Sequence, residues 1–332
     1  MGIKFLNGGL YTTIQDIGRN GHQKSGFHVC GVMDRRAYRI ANMLLNNDLN
    51  EAVVEFTLMG PSIQFLEDSV IAITGGNFMP TLNGGPVPMY RAVSVSKDDV
   101  LEFKFAQSGN WGYVAFLGGL DVPVEMDSRS TDVKCGFGGY QGRKIVQGDE
   151  ISFREKGRKL DNIPNRILET PDYSAEVTEI RVVMGPQEDY FTAKGIISFL
   201  NNPYTLTSQS DRMGYRLDGT YIEHNEKGSD IISDGIAFGS IQVPAHGQPI
   251  IMLADRQTTG GYTKIATVVS TDIPKLVQCK FNKKIKFTAV TMEEAQEIYL
   301  AEMNEYDVLY KQMNPVKNPN SLWAKIAKIF KK

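Results

Sequence analysis

Three short stretches place an aspartate beside or near an arginine where an apolar run gives way to a turn. They are Gln15-Asp16-Ile17-Gly18-Arg19, Ser208-Gln209-Ser210-Asp211-Arg212-Met213-Gly214 and Ala254-Asp255-Arg256-Gln257-Thr258-Thr259-Gly260-Gly261. Arginine carries a planar fork of donors that grips a carboxylate or phosphate through two parallel hydrogen bonds. A neighbouring aspartate orients that fork or competes for it. Hydroxyls and glycine amides add donors that a small anion can approach closely. Each pair could instead be a structural ion pair tying a turn to its scaffold, and that reading stays open for Asp16 with Arg19 and for Asp211 with Arg212. After the apolar run Pro249-Ile250-Ile251-Met252-Leu253-Ala254, the density of small and polar groups favours a site over residues 255–261. Ser128-Arg129-Ser130-Thr131 is a further, weaker cluster of donors.

Other chemistries lack their residues. No G-x-x-x-x-G-K-[ST] phosphate loop is present, and Gly136-Phe137-Gly138-Gly139-Tyr140-Gln141-Gly142-Arg143-Lys144 reads as a flexible hairpin. No G-x-S-x-G elbow presents a strained serine. His22, His28, His224 and His246 show neither H-E-x-x-H nor a Cys/His ligand spacing, so no metal site is expected. Cys30, Cys135 and Cys279 are too few and too scattered for a disulfide framework. A formal net charge of −2 gives no basic field for nucleic acid. No apolar run reaches the ~18 residues of a membrane span. The first residues turn polar and glycine-rich too soon for a signal peptide, which makes the reducing cytoplasm the expected compartment.

The elements that must position these residues are mostly strands. Val53-Val54-Glu55-Phe56-Thr57-Leu58 and Val70-Ile71-Ala72-Ile73-Thr74 are typical short apolar runs between Gly, Asn and Asp turns. Such a pattern argues for barrels or sandwiches, not a doubly wound sheet. Three helices interrupt it. Asp34 is a candidate N-cap for a stripe of Ala37, Ile40, Ala41, Leu44 and Leu45. A second helix is expected within 186–200, interrupted by Gly195. Thr291 and Glu294 form a capping box before Met292, Ala295, Tyr299, Met303, Tyr306 and Tyr310.

Gly148-Asp149-Glu150-Ile151-Ser152-Phe153 and Asn282-Lys283-Lys284-Ile285-Lys286-Phe287 echo one another weakly, and a polar stretch with Pro164 and Pro171 lies between them. The expected organisation is a domain over 1–155, a linker over 156–178, a second domain over 179–291 and a helical extension over 292–332.

These segments resemble the family of 5-oxoprolinase C subunits, also called the KipI antagonist or biotin-dependent carboxyltransferase-like family, related to the carboxyltransferase part of urea carboxylase. The matching stretches include 10–19, Gly31-Val32-Met33-Asp34-Arg35, 55–61, Gly118-Gly119-Leu120-Asp121-Val122-Pro123, Ser128-Arg129-Ser130-Thr131, Gly185-Pro186-Gln187 and 210–217. Residues 254–265 are the most distinctive. The resemblance implies a mainly β fold: two cyclophilin-like β-barrel domains, a few short helices and a helical C-terminal tail. It also implies ATP-dependent opening of 5-oxoproline to glutamate, shared with the A and B subunits of that enzyme.

A lactam carbonyl is a poor electrophile. Phosphorylating its oxygen makes it a good one, and water then completes ring opening. Such a site needs donors for phosphate and an anchor for the substrate carboxylate. On that chemistry Asp211, Asp255 and Arg256 are the expected catalytic residues. Arg212, Gln257, Thr258, Thr259, Gly260, Asp16 and Arg19 are the expected contacts to substrate or phosphate. ATP is expected to bind together with the partners, of which the 5-oxoprolinase B subunit is the direct one. Two other functions fit the resemblance. One is a carboxyltransferase taking carboxybiotin from a separate carrier, because the chain has no Ala-Met-Lys-Met motif of its own. The other is a non-catalytic antagonist of a KipI-like kinase inhibitor. Beyond the likeness, residues 315–332 carry five lysines and no acids, and read as a surface-packed or frayed tail or a short amphipathic helix.

Overall fold

A computed structural model of the chain describes residues 2–314, so the tail expected over 315–332 lies outside the described residues. Side chains alternate across a strand, and a strand that is apolar at most positions buries both faces. Ser108–Phe116 is such a strand: Val114 and Phe116 enter one core, while Trp111, Tyr113 and Ala115 enter another. Its antiparallel neighbours divide in the same way, with Val54, Phe56, Ile71 and Ile73 on the first side and Val53, Val70 and Ala72 on the second. These strands form the middle of a five-stranded sheet in the order Tyr11–Gln15, Val53–Thr57, Ser108–Phe116, Ser69–Asn77, Ala92–Val95. A six-stranded sheet covers its first face, in the order Glu150–Ser152, Gly2–Asn7, Ser62–Phe65, Val100–Glu102, Thr81–Leu82, Gly85–Pro86. Ile3, Phe5, Ile63, Phe65 and Leu101 fill the space between the two sheets, each worth roughly 1.5–3 kcal/mol on burial.

The second face carries helix α1 (Arg35–Leu44). Asp34 caps it by accepting from the Ala37 N–H at 2.9 Å, and Ala37, Ile40, Ala41 and Leu44 are buried as the stripe requires. The second half of the chain closes a seven-stranded barrel, in the order Val177–Met184, Lys264–Val268, Ser240–Gln242, Ile250–Met252, Gly214–Asp218, Tyr204–Leu206, Lys284–Ala289. Helix α2 (Ala193–Asn201) begins later than the sequence pattern suggests, because Thr192 caps it by accepting from the Gly195 N–H at 3.0 Å. Gly195 permits a close approach here: a Cβ would stand 2.4 Å from the Glu223 carbonyl oxygen. Helix α3 (Ile273–Gln278) escapes a sequence reading because it is short and has Pro274 in its first turn. Helix α4 (Met292–Met313) starts in the expected capping box and returns to α1, where the Arg36 fork meets Glu305 and Tyr306 is buried. Met292 stays exposed, so the buried stripe of α4 begins only near Met303. The fold is therefore mainly β, with four helices among the described residues.

Within the polar stretch 156–178, whose last two residues already belong to the barrel strand Val177–Met184, the segment around Arg166 lies against the first half. Arg166 donates to the last carbonyls of α1, Met43 at 3.3 Å and Leu44 at 3.2 Å. The halves meet along α3. Gln278, fully buried, accepts from the N–H groups of Asn110 (2.8 Å) and Trp111 (3.0 Å) and donates to the Trp111 carbonyl (2.9 Å) and Asp34 (2.8 Å). Its side-chain amide thus bonds the backbone of Asn110 and Trp111 within the strand Ser108–Phe116. Gln278→Leu fits the volume but strands these groups, and should cost about 2–4 kcal/mol in a urea titration; a loss under about 0.5 kcal/mol would show that the seam is held elsewhere.

Asp272, also fully buried, accepts from the Arg181 backbone N–H (2.8 Å) and fork (2.8 and 2.6 Å). Burial pushes its carboxyl up, but the Arg181 fork and Lys275 outweigh burial and hold it below the usual range. A depressed folded value gives stability that is present above the unfolded value, about pH 4, and lost as pH falls through the folded one. Asp272→Asn should flatten the acid limb of a plot of urea midpoint against pH; an unchanged acid limb would contradict the assignment.

Candidate functional site

Val53 and Glu55 point to the same side of their strand, so Glu55 faces the barrel from within an apolar run. Its Oε2 accepts from the Met33 N–H at 2.8 Å, and its Oε1 meets Nη1 of Arg212. Arg212 lies just before strand Gly214–Asp218 in the second half. It binds Asp255 bidentately, Nε and Nη2 each at 2.8 Å, and donates from Nη2 to the Gly31 carbonyl at 2.6 Å. Trp111 lies beneath the guanidinium, 5.9 Å from centroid to Cζ. The four bonds commit most of the guanidinium's donors to the protein itself. Arg212 is thus the knot between the halves and the orienter of Asp255. Gly31 has φ 85°, and a Cβ there would meet the Ile17 carbonyl carbon at 2.8 Å, so only glycine brings its oxygen to this point.

Burial pushes the Glu55 carboxyl up, further than Arg212 pulls it down. Burial would lower Arg212, but Asp255 and Glu55 outweigh it and hold the guanidinium charged. Tyr11, between these charges, is pushed up to about 12, mainly by burial, and keeps its proton.

This knot forms part of the wall of a cleft of about 490 Å³ between the halves. Tyr11, Asn110 and Trp111 line it from the first half, and Asp211, Arg212 and Asp255 from the second. The Asp255 side chain is 15% exposed, so oxygens pinned by Arg212 still have lone pairs for a ligand. A second cleft, about 680 Å³, opens beside α4. Its arginines are paired, Arg36 with Glu302 and Glu305 and Arg181 with Asp272, just as Arg212 is, so the choice rests on Asp255, a carboxylate fixed by Arg212 and still open to the first cleft. The smaller cleft is the better candidate.

A family model described as carboxyltransferase domain, subdomains A and B, matches residues 25–289. The chain belongs to this carboxyltransferase family. It is 36% identical over 293 residues to the 5-oxoprolinase C subunit of Escherichia coli (strain K12), covering 88% of this chain and 93% of that one. The corresponding 5-oxoprolinase C subunit of Haemophilus influenzae is 37% identical over 294 residues, 87% and 93% of the two chains. Larger carboxyltransferase relatives match over a part of their length: a putative urea carboxylase of Emericella nidulans is 33% identical over 306 residues, 88% of this chain and 24% of that one. The crystal structure of the K. lactis urea amidolyase superposes with a TM-score of 0.86 at 26% identity, covering 93% of this chain and 20% of that one.

The remaining candidate residues lie apart from the cleft or serve its loops. Asp211 lines the cleft, and its Oδ1 also holds the turn by accepting from the N–H groups of Met213 (2.8 Å) and Gly214 (3.2 Å). Asp16 and Arg19 do not pair. Asp16 gathers the Ser128 and Ser130 hydroxyls (2.7 and 2.5 Å) and the Arg129 N–H (2.6 Å), which explains the serine cluster. Arg19 donates to the Ser130 carbonyl at 2.6 Å and stacks on Phe137. Gln257 and Thr258 follow the cleft residue, while Thr259–Tyr262 forms a two-stranded arm with Asp230–Gly235.

Arg256 does not reach Asp255. Its Nε donates to the Ile236 carbonyl at 2.9 Å and Nη1 to Leu253 at 3.2 Å. Burial and then Arg35 push its guanidinium down to about 10, and Arg35 is likewise pushed down to about 10 by burial and Arg39. Both arginines stack on Phe238, and neither has an ion-pair partner among the described residues. Arg256→Lys keeps the charge but strands two carbonyls, and should lower stability by about 1–3 kcal/mol in a thermal or urea melt; an unchanged melt would mean that the fork is not needed by the turn.

Sequence reasoning missed Glu55, Gly31, Trp111 and Arg35. A single acid inside a run of otherwise apolar strand residues was the available signal for Glu55. The histidines show no ligand spacing in the sequence, and the fold places ligand atoms of His28, Asp132 and Cys135 within 4.8 Å of one another.

Proposed function

We propose that the chain is the C subunit of an ATP-dependent 5-oxoprolinase, acting with the A and B subunits in the cytoplasm, and that its cleft takes the amide of the substrate. The carrying observation is Asp255: a carboxylate pinned by Arg212 and still open to the cleft. A cyclic amide presents an N–H that such a carboxylate accepts strongly. The reaction then runs in balanced steps. The lactam oxygen attacks the γ-phosphorus of ATP and releases ADP. Water adds to the activated carbon, the ring C–N bond breaks, and nitrogen leaves as an amine after taking a proton. A second water hydrolyses the resulting acyl phosphate to glutamate and phosphate. Asp255 holds the N–H in the first step and receives or returns the proton as the nitrogen becomes an amine.

The match to the urea carboxylase relative favours a second reading, carboxyl transfer from carboxybiotin to an amide nitrogen. Urea offers the same N–H chemistry to Asp255. Co-expression with the A and B subunits should give a stable heteromer by light scattering, and only free chains at micromolar concentration would contradict it. The heteromer should convert 5-oxoproline to glutamate with ATP consumption. Carboxylation of urea by a biotin carrier system, with no lactam opening, would assign the cleft to carboxyl transfer.

A further inference from the structure

His28 Nδ1 stands 3.0 Å from Oδ2 of Asp132 and 3.9 Å from Sγ of Cys135, and the three ligand atoms lie within 4.8 Å of one another. Asp132 is buried, the His28 side chain is 11% exposed, and Cys135 is at the surface. A proton relay through imidazole uses one ring nitrogen for each partner. Here carboxylate and thiol converge on the same nitrogen, which holds at most one hydrogen. Three unlike ligand atoms within 4.8 Å of one another are close enough to share a cation.

The spacing suits zinc. Bond lengths of about 2.3 Å to sulfur and about 2.0–2.2 Å to nitrogen and oxygen place tetrahedral ligand atoms about 3.4–3.6 Å apart. The 3.0 and 3.9 Å edges at His28 bracket that range within a few tenths of an ångström, and the remaining edge, between Asp132 and Cys135, is at most 4.8 Å, so the exposed Cys135 side chain is the one that must move inward. A mixed sulfur, nitrogen and oxygen set also suits zinc better than magnesium or calcium. The turn that carries two of the ligands is already fixed, because Asp132 Oδ1 accepts from the Cys135 N–H at 3.0 Å while Oδ2 faces His28 Nδ1.

We propose that His28, Asp132 and Cys135 form a zinc site with one position left to water. Binding releases the Cys135 proton, and thiolate and carboxylate together neutralise the dication. The metal ties the segment containing His28, whose Gly31 carbonyl holds Arg212, to the turn containing Val133 and Lys134, which line the cleft. It thereby fixes one rim of the cleft, and it does so whichever amide reaction the cleft performs.

Cobalt(II) reports such a site by its spectrum. The full-length chain, stripped with chelator and titrated anaerobically, should bind one equivalent of cobalt with tetrahedral d–d bands and a thiolate-to-cobalt charge-transfer band, both removed by zinc. Cys135→Ser should abolish the charge-transfer band, and His28→Gln should weaken binding at least ~10-fold. Cys30→Ser and Cys279→Ser should leave the spectrum intact. Zinc should also protect Cys135 of the unaltered chain from alkylation, read by mass spectrometry, so the test does not depend on a variant that folds. Absence of stoichiometric binding, a band that persists in Cys135→Ser, or equal alkylation with and without zinc would overturn the proposal and leave His28 and Asp132 as an ordinary ion pair.

Discussion

Arg212→Met should cost about 3–5 kcal/mol of stability, the largest loss expected from any single substitution in the seam. The reason is what it leaves behind. Glu55 is 1% exposed, and without Arg212 its bond to the second half is gone. Gly31 and Asp255 lose donors at the same time. A buried carboxylate without its cation pays a desolvation cost that water cannot return. Removing both partners should hurt less than the sum, so Arg212→Met with Glu55→Gln should recover part of the loss. Urea titrations of the two single variants and the double variant form a cycle that isolates the pair. A loss below about 1 kcal/mol for Arg212→Met would show that the knot does not hold the halves together.

Asp255→Asn should lower kcat of the assembled complex ~100-fold or more, equivalent to about 2.7 kcal/mol of transition-state stabilisation. Asparagine keeps the shape of the side chain but removes the charge that accepts an amide N–H and carries its proton. Stability should change far less than activity, because Arg212 keeps Glu55 and Gly31. Asp211→Asn is the internal comparison. Asp211 lines the same cleft, but its carboxylate caps the N–H groups of Met213 and Gly214, a task asparagine also performs. It should retain activity within ~5-fold of the wild type, a change of about 1 kcal/mol. Equal losses for the two variants would mean that general charge in the cleft matters and that Asp255 has no special place.

What could be read from the sequence was local. Asp34 before an apolar stripe gave α1, and Thr291 with Glu294 gave the start of α4, because caps act over three residues. Asp211, Arg212 and Asp255 were identifiable as polar groups at the ends of strands. Their arrangement was not. Arg212 meets Glu55 across 157 positions of chain, and Gln278 meets Asn110 across 168. Contacts of that range follow from how two halves dock, which no spacing of motifs encodes. The same limit explains Arg256. Its neighbours suggested an anion site, but the direction of a guanidinium depends on which carbonyls surround it, here Ile236 and Leu253. The convergence of His28 on Asp132 and Cys135 was hidden for the same reason, with more than a hundred residues between the histidine and the other ligands.

The most direct test is the initial rate of glutamate formation from 5-oxoproline and ATP by the A and B subunits, titrated with this chain. With the unaltered chain the rate should rise and saturate at a fixed stoichiometry. With Asp255→Asn at the same concentrations, shown by light scattering to join the complex, the rate should stay near ~1% of that plateau. Equal plateaus for the two chains, or a full rate from the A and B subunits alone, would contradict a reaction centred on Asp255 in the cleft.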